Sequence, residues 1–230
     1  PLPLQQRARR QRRAQLLSEP YDSNAVNAKP IDTWSPTFLP CKTPLDSYKC
    51  RQGIGYTVFE AAKHGIESKL TAFVPLKTNA EVNRLDVTNT TDAPVVLDVT
   101  GSVEWCLWNA VDDSSNFQRN LSTGEVEIEK QDDATLIYHK TEFKERRNHY
   151  AFFAVNSPVV GFDTSRDEFL GKFNGWDTPQ VITEGQAHDS VAHAGSQSPP
   201  TAYASSSSRA RPSRSYSCWA TSKSPRKTSG

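Results

Sequence analysis

The sequence contains no methionine, no closely spaced cysteine pair and no long apolar run. The four cysteines among 230 residues, Cys41, Cys50, Cys106 and Cys218, include no C-x-x-C pair, which excludes a zinc knuckle and a dense disulfide framework. No run approaches the roughly 18 apolar residues that span a bilayer, and the arginine-rich start lacks the apolar stretch of a secretory signal. We therefore expect a soluble, cytoplasmic protein that does not bind a membrane. Because methionine is absent, we also expect coding sequence upstream of Pro1.

The charges of the two signs are concentrated in different regions of the sequence. Residues 1–15 carry five arginines and no acid, and residues 195–230 carry six basic residues and no acid. The rest of the chain holds 16 basic and 26 acidic side chains, a net charge of about −10. A basic run at 140–147 contains Glu142 and Glu145, and phosphate binding needs a basic patch that carboxylates do not offset. The sequence therefore predicts no nucleic-acid partner.

Between residues 53 and 156, apolar and polar residues alternate in short runs that turn residues separate. This is the period of half-buried antiparallel strands. We predict strands at 56–60, 66–75, 80–88, 95–105, 124–130, 134–140 and 148–156, with turns at His64 and Gly65 and at 89–94. Such spacing without helical stretches indicates an all-β sandwich of two antiparallel sheets. We expect one strand face to carry Leu97, Val99, Val103 and Trp105, with a β-bulge allowed at Gly101, and an exposed loop to follow at 109–120.

Two sets of polar residues suggest catalysis or metal binding, but their spacing argues against both. Asp112 and Asp113 are adjacent, and adjacent side chains on an extended loop usually point apart, which does not suit paired acid–base work. His139 and His149 lie ten residues apart with no cysteine nearby, which is a poor pattern for a zinc site. We therefore predict neither a metal site nor a catalytic residue.

The stretch 103–127 carries the most functional information. An apolar strand ends in two tryptophans, Trp105 and Trp108, and a loop crowded with amides, carboxylates and an arginine follows. This mixture suits sugar hydroxyls, because aromatic faces stack on the C–H faces of pyranose rings while the polar groups supply bidentate hydrogen bonds. The alternative is that the tryptophans belong to the core and the loop is only a polar connection.

Specific sequence motifs also occur over much of the chain. They include Thr-Trp-Ser-Pro-Thr-Phe-Leu-Pro at 33–40, Gly-Ile-Gly-Tyr at 53–56, Val-Thr-Asn-Thr-Thr-Asp-Ala-Pro at 87–94, Cys-Leu-Trp-Asn-Ala at 106–110, Asn-Phe-Gln-Arg-Asn-Leu-Ser at 116–122, Tyr-His-Lys-Thr-Glu at 138–142 and Gly-Phe-Asp at 161–163. With these motifs the chain resembles the amino-terminal domain of the cellobiose phosphorylases, which are inverting disaccharide phosphorylases. The resemblance covers roughly 160 of the 230 residues. It implies a large antiparallel β-sandwich of the galactose-mutarotase-like supersandwich kind at residues 21–194. In the family a helical linker follows, and then an (α/α)-barrel that holds the catalytic aspartate and the phosphate site.

The resemblance also implies a reaction and a binding site. In the family, cellobiose and inorganic phosphate give glucose 1-phosphate and glucose with inversion, because one carboxylic acid protonates the glycosidic oxygen while phosphate replaces the attacking water. No catalytic residue and no cofactor are expected in this chain, and phosphate is a co-substrate of the parent enzyme. A family loop with a Gln-Arg pair reaches the sugar site of the neighbouring subunit in a homodimer. The motif match therefore implies substrate binding by Gln118 and Arg119, flanked by Asn116, Phe117 and Asn120.

Two functions remain open from the sequence. The chain is either a fragment of a carbohydrate-active glycosyltransferase that supplies sugar binding and dimer contacts but is inactive alone, or a non-catalytic carbohydrate-binding or scaffold module. The substrate of the parent enzyme remains open among cellobiose, chitobiose and other β-linked disaccharides. In the family, the pocket that reads the sugar 2-substituent lies mainly in the barrel.

Both ends of the chain depart from the family. Codons exist for residues 1–13 that, read one nucleotide later, encode RYRYNNVPADSGG, the string that the family carries before Trp-Ser-Pro. A two-nucleotide shift after about residue 194 likewise permits family-like strings. Out-of-frame translation would account for both ends, including their missing acids. Since neither 1–20 nor 195–230 has the apolar content to offset its ordering entropy, we expect disordered ends and an incomplete sandwich.

Overall fold

The structure is a computed structural model. It describes the following residues: 11–20, 30–77, 80–93, 95–105, 124–131, 134–141, 150–156, 159–192, 201–210 and 214–222. These ranges contain the following strands and helices: β1 (Gln11–Pro20), β2 (Pro30–Trp34), β3 (Ser47–Gly53), β4 (Tyr56–Lys63), β5 (Ile66–Phe73), β6 (Glu81–Asn89), β7 (Val95–Trp105), β8 (Gly124–Gln131), β9 (Ala134–Thr141), β10 (Tyr150–Val155), β11 (Gly161–Asp163), α1 (Arg166–Leu170), α2 (Gln180–Glu184), β12 (Thr201–Ala210) and β13 (Arg214–Ser222).

The strands form two antiparallel sheets. The smaller sheet has five strands in the order β11-β12-β7-β1-β2, and the larger has eight in the order β3-β4-β5-β6-β13-β10-β9-β8. This arrangement confirms the prediction of an all-β sandwich. The strand predictions between residues 56 and 155 are also confirmed, and the turn between β4 and β5 has the positive φ angles of His64 (52°) and Gly65 (75°).

The ends of the chain differ from the expectation of disorder in three segments. β1 lies between β7 and β2, β12 lies between β11 and β7, and β13 joins β6 to β10. The backbone explains this difference, because N–H and C=O groups at a sheet edge pair with any extended segment whatever its side chains. Composition alone therefore does not prevent these segments from completing the sheets. The residues at 1–10, 193–200, 211–213 and 223–230 lie outside the described part of the chain.

Residues of α1 and α2, Phe169, Leu170, Val181 and Ile182, form a separate buried cluster. The core between the two sheets consists of two clusters. One cluster contains Trp34, Ile66, Leu70, Leu85, Val87, Leu97 and Val99. The other contains Val103, Ile137, Ala151, Phe153, Val155 and Phe162. Because strand residues alternate between faces, β7 contributes to both clusters through the predicted face of Leu97, Val99 and Val103. The side chain of Trp105 and the loop at 109–120 lie outside the described residues.

Gly101 lies between these two clusters and lets the sheets approach closely. The strand has no bulge at this position, because β7 pairs with β1 and with β12 in continuous registers through Gly101. A Cβ atom at this position would lie 3.0 Å from Cζ of Phe153 on the facing sheet. The missing side chain thus makes room for the phenylalanine ring.

We expect Gly101→Val to lower the free energy of unfolding by about 1–3 kcal/mol, because the added methyl groups overpack the contact with Phe153. Urea denaturation followed by far-UV circular dichroism measures this change. The double variant Gly101→Val with Phe153→Leu should lose less free energy of unfolding than the two single variants lose in sum. Strict additivity would show that the two positions do not share this space.

Candidate functional site

The sugar-binding residues that the sequence implies fall in the connection between β7 and β8. Asn116, Phe117, Gln118, Arg119 and Asn120 all lie outside the described residues. The structure does describe the two strands that hold this connection. β7 is the central strand of the five-stranded sheet, and β8 is an edge strand of the eight-stranded sheet. The described residues on either side of 106–123, Trp105 and Gly124, therefore belong to different sheets.

The connection between β9 and β10 begins beside the end of this segment. Gly124, the first residue of β8, pairs with Thr141, and Tyr150 pairs with Lys140. The chain thus leaves β9 and returns to β10 at the end of the sheet where β8 begins. Two connections that are rich in charged and amide residues, 106–123 and 142–149, are attached to the same corner of the sandwich.

A buried carboxylate organises the segment that follows β11. The side chain of Asp163 is 0% exposed and accepts three hydrogen bonds. The donors are the backbone N–H of His188 to Oδ2 at 3.1 Å, the backbone N–H of Ser190 to Oδ1 at 3.0 Å, and the Ser190 hydroxyl to Oδ1 at 2.6 Å. A parallel β-bridge joins Asp163 to Ser190 as well. Asp163 therefore fastens the chain near residue 190 onto β11.

The neighbouring residues add further hydrogen bonds between the same two segments, and in most of these the donor belongs to residues 162–164. The backbone N–H of Phe162 donates to Oδ1 of Asp189 at 3.0 Å. Both the N–H and the hydroxyl of Thr164 donate to the carbonyl of Ser190, at 2.9 and 3.1 Å, and the N–H of Ala192 donates to the Thr164 hydroxyl at 2.7 Å. We call residues 162–164 and 188–192 the Asp163 clamp. It closes the loop that carries α1 and α2.

The electrostatics of the Asp163 clamp suit a structural role. Burial raises the pKa of Asp163 above its ordinary value, although hydrogen bonds from Ser190 and His188 act in the opposite direction. A carboxyl group with no solvent exposure has no path to a sugar. The ring of His188 lies 3.8 Å from Glu168 of α1 and 3.5 Å from Glu184 of α2, so that it bridges the two helices across the closed loop.

A second polar cluster joins β2 to the turn between β4 and β5. Oδ2 of Asp32 lies 2.9 Å from Nε2 of His64 and 3.2 Å from Nζ of Lys63, and the Lys63 ammonium also donates to the carbonyl of Pro44. Burial raises the pKa of Asp32, but hydrogen bonds from His64, Lys63 and Thr33 outweigh it, and the pKa lies below its ordinary value. The ring of His64 meets Trp34 edge-on at 6.1 Å between centroids. This cluster anchors the hairpin tip over the core.

Sequence reasoning missed both polar clusters. The Gly-Phe-Asp motif at 161–163 was a signal for the first of them, but its partners lie 25 to 27 residues further along the chain. Of the residues considered for metal or acid–base chemistry, Asp112, Asp113 and His149 lie outside the described ranges, and so does the side chain of His139. Within the described ranges, no group of three or more His, Cys, Asp or Glu side chains is placed to hold a metal ion. No helix in those ranges is both long and apolar enough to cross a membrane.

Comparison with known proteins places this architecture in a family. The chain is 28% identical over 163 residues to an N,N'-diacetylchitobiose phosphorylase of Vibrio furnissii, a match that covers 70% of this chain and 20% of that enzyme. It is 25% identical over 166 residues to a solabiose phosphorylase of Paenibacillus borealis, covering 72% of this chain and 21% of that enzyme. It is also 29% identical over 139 residues to the cyclic beta-(1,2)-glucan synthase NdvB of Rhizobium meliloti (strain 1021), covering 60% of this chain and 5% of that protein.

The chain therefore spans about one fifth of the length of the two phosphorylases that it resembles. The sandwich itself corresponds to a recognised domain, since residues 27–197 match the family model of the glycosyl hydrolase 94 supersandwich domain. The match contains both polar clusters, the core strands and the connection between β7 and β8. With its two antiparallel sheets and this match over most of its length, the chain belongs to the glycosyl hydrolase 94 family.

Proposed function

We propose that this chain is the supersandwich part of a disaccharide phosphorylase and that it contributes sugar binding and dimer contacts rather than the catalytic acid. The match of residues 27–197 to the supersandwich domain carries this proposal, and the phosphorylase names of two relatives support it. In the proposed reaction, inorganic phosphate attacks the anomeric carbon of a β-linked disaccharide with inversion, the glycosidic bond breaks, and the second sugar leaves with a proton from the catalytic acid. The reaction needs no further cofactor. Because phosphate is consumed and a sugar phosphate is formed, we propose the cytoplasm as its compartment.

The substrate that we propose is a β-linked disaccharide of the cellobiose or chitobiose type. The motif resemblance favours cellobiose, whereas a relative at 28% identity is named for N,N'-diacetylchitobiose. These two sugars differ at the 2-substituent, an acetamido group in place of a hydroxyl. Initial rates of sugar 1-phosphate release from each disaccharide in phosphate buffer distinguish them directly.

Within the proposed enzyme, Gln118 and Arg119 hydrogen-bond and orient the sugar in the active site of the neighbouring subunit. The attachment of their segment supports this role, because a connection between a central strand and a sheet edge is held at both ends by a packed scaffold. The amide of Gln118 offers both a donor and an acceptor, and the guanidinium of Arg119 offers paired donors. Asn116, Phe117 and Asn120 flank the pair and complete a surface suited to a pyranose ring.

In a full-length enzyme that carries this domain, we expect Arg119→Ala to lower kcat/KM by about 10- to 100-fold. The substitution removes hydrogen bonds from a charged donor, worth about 1.5–3 kcal/mol. Arg84→Ala is the matched control, since Arg84 is an exposed arginine of β6 that pairs with Asp86 on its own strand. The control should leave kcat/KM unchanged. The 230-residue chain assayed alone sets the baseline and should release no sugar 1-phosphate.

Mixed dimers test whether the loop acts across the subunit interface. An Arg119→Ala subunit is paired with a subunit that lacks the catalytic acid. If the loop serves the neighbouring site, both lesions fall on one site and the other site retains near-normal turnover. If the loop serves its own subunit, both sites are impaired. An Arg119→Ala homodimer with full activity would contradict the binding role and favour a scaffold function for the sandwich.

A further inference from the structure

The connection between α1 and α2 contains the only Asn-Gly pair in the sequence, Asn174 and Gly175, and both residues are exposed. The peptide nitrogen that follows an asparagine can attack the side-chain amide carbon and expel ammonia. Glycine favours this step more than any other residue, because it has no side chain to obstruct the approach and its backbone adopts the widest range of conformations. The fold therefore presents the most reactive type of asparagine to solvent.

Neither reacting group is held by a hydrogen bond. In the described part of the chain, the side-chain amide of Asn174 and the backbone N–H of Gly175 have no hydrogen-bond partner. The carbonyl of Gly175 accepts a hydrogen bond from the N–H of Thr178 at 3.2 Å, which leaves the attacking nitrogen unengaged. A hydrogen bond to either group would have to break before the two could meet. The pair therefore lacks this source of protection.

Two glycines make room around the pair. The amide nitrogen of Asn174 lies 3.1 Å from the place that a Cβ atom on Gly171 would take, and Oδ1 of Asp177 lies 2.6 Å from the place that a Cβ atom on Gly175 would take. A side chain at 171 would crowd the asparagine, and a side chain at 175 would crowd the carboxylate. The amide of Asn174 thus lies over bare backbone, with a carboxylate beside the attacking residue.

Asn89 at the end of β6 shows how the fold protects an asparagine. Its side chain is buried, and its amide nitrogen donates to the carbonyl of Ala93 at 2.7 Å. Its side-chain oxygen accepts from the N–H and the hydroxyl of Thr91, at 2.9 and 2.7 Å. The residue that follows is Thr90, which is branched at Cβ. Asn89 therefore has the restraints that Asn174 lacks.

We propose that Asn174 is a site of spontaneous deamidation in the folded protein. The backbone nitrogen of Gly175 bonds to the side-chain amide carbon of Asn174, the bond from that carbon to the amide nitrogen breaks, and the proton of the Gly175 N–H leaves with the amide group as ammonia. The product is a five-membered succinimide. Water then opens this ring at one of its two carbonyl carbons, which gives aspartate or isoaspartate at position 174. The step consumes only water.

The product changes a loop that holds part of a buried cluster. The ring of Trp176 lies 5.6 Å from that of Phe169 and packs against the buried cluster of α1 and α2. Aspartate and isoaspartate both add a negative charge three residues before Asp177. Isoaspartate also lengthens the main chain by one methylene group, two residues before Trp176. The inference concerns this loop alone and does not depend on the proposed phosphorylase reaction.

Peptide mapping by mass spectrometry of the folded 230-residue chain tests the site. We expect the peptide that contains Asn174 to gain about one dalton, with isoaspartate detected by methyl transfer from S-adenosylmethionine through an isoaspartyl methyltransferase. Asn89 is the internal control and should stay unmodified. Because surface loops open at little cost in free energy, the folded chain should react within about tenfold of the rate of the urea-unfolded chain. An Asn174 that stays intact while the unfolded chain reacts would overturn the proposal.

Two variants test the chemical route. Gly175→Ala places a methyl group beside the attacking nitrogen and should slow the reaction by about tenfold or more. The new Cβ atom meets only the flexible end of the Asp177 side chain, which can turn away, so this variant should fold. Asn174→Gln would need a six-membered ring and should show no mass gain at this position over the same period. A Gly175→Ala chain that reacts as fast as the wild type would overturn the succinimide route.

Discussion

Asp163→Ala is expected to lower the free energy of unfolding by about 3–5 kcal/mol. The substitution leaves the backbone N–H groups of His188 and Ser190 and the Ser190 hydroxyl without their acceptor, and each buried donor left unpaired costs about 1–3 kcal/mol. Urea denaturation followed by circular dichroism measures the loss. Asp167→Ala is the matched control, because Asp167 is an exposed acid in the first turn of α1 and its replacement should cost less than about 1 kcal/mol. Equal losses in the two variants would show that the Asp163 clamp does not hold the closed loop.

The pH dependence gives a second test of the same carboxyl group. Because burial raises the pKa of Asp163 in the folded state, the folded protein holds this proton more tightly than the unfolded chain does. The stability linked to this proton is fully present below the unfolded pKa of Asp163. It is lost as the pH rises through the folded value. Asp163→Asn removes this titration, so the stability of the wild type minus that of the variant should decrease as the pH rises above about 4. A difference independent of pH would contradict the raised pKa.

Trp34→Ala is expected to lower the free energy of unfolding by about 3–5 kcal/mol, because it leaves a cavity where a fully buried tryptophan packs. The ring is 0% exposed and packs in the cluster that joins β2, β5, β6 and β7. The indole N–H of Trp34 has no hydrogen-bond partner among the described residues. The large loss should therefore come from packing and not from a hydrogen bond.

Trp34→Phe separates these two contributions. Phenylalanine keeps an aromatic ring in the site and leaves no acceptor unpaired, so we expect a loss of only about 1–2 kcal/mol. Urea midpoints of the two variants provide the comparison. If Trp34→Phe were as damaging as Trp34→Ala, the N–H group would have to make an important contact. If both were mild, the sheets would not close over this residue.

The strands between residues 56 and 155 are predictable from the sequence because alternation is a local property. A residue such as Leu97 needs only its neighbours two positions away to indicate which face it occupies. The turn at His64 and Gly65 is likewise predictable from the turn residues alone. The sequence left a bulge at Gly101 open because the reason for this glycine is not local: it makes room for the ring of Phe153 on the opposite sheet.

The ends of the chain and the polar clusters were not predictable in this way. β1, β12 and β13 contain no Val, Ile or Phe. They pair through their backbone with strands that lie far away in the sequence. The role of Asp163 depends on donors from residues 188 and 190, which only the folded chain brings close. For the sugar-binding site, the motif around Gln118 and Arg119 supports the assignment, and the structure describes only the strands that carry it.

The position of β7 between β1 and β12 has a consequence for how the protein folds. Gln11 pairs with Trp105, and Glu104 pairs with Thr201, so the centre of the smaller sheet joins segments from opposite ends of the chain. Contacts over such separations must close long loops before they contribute stability, and folding rates fall as this average separation grows. We therefore expect the hairpins of β3 to β6 to form early. On the ribosome, the smaller sheet stays incomplete until β12, Thr201–Ala210, has been made.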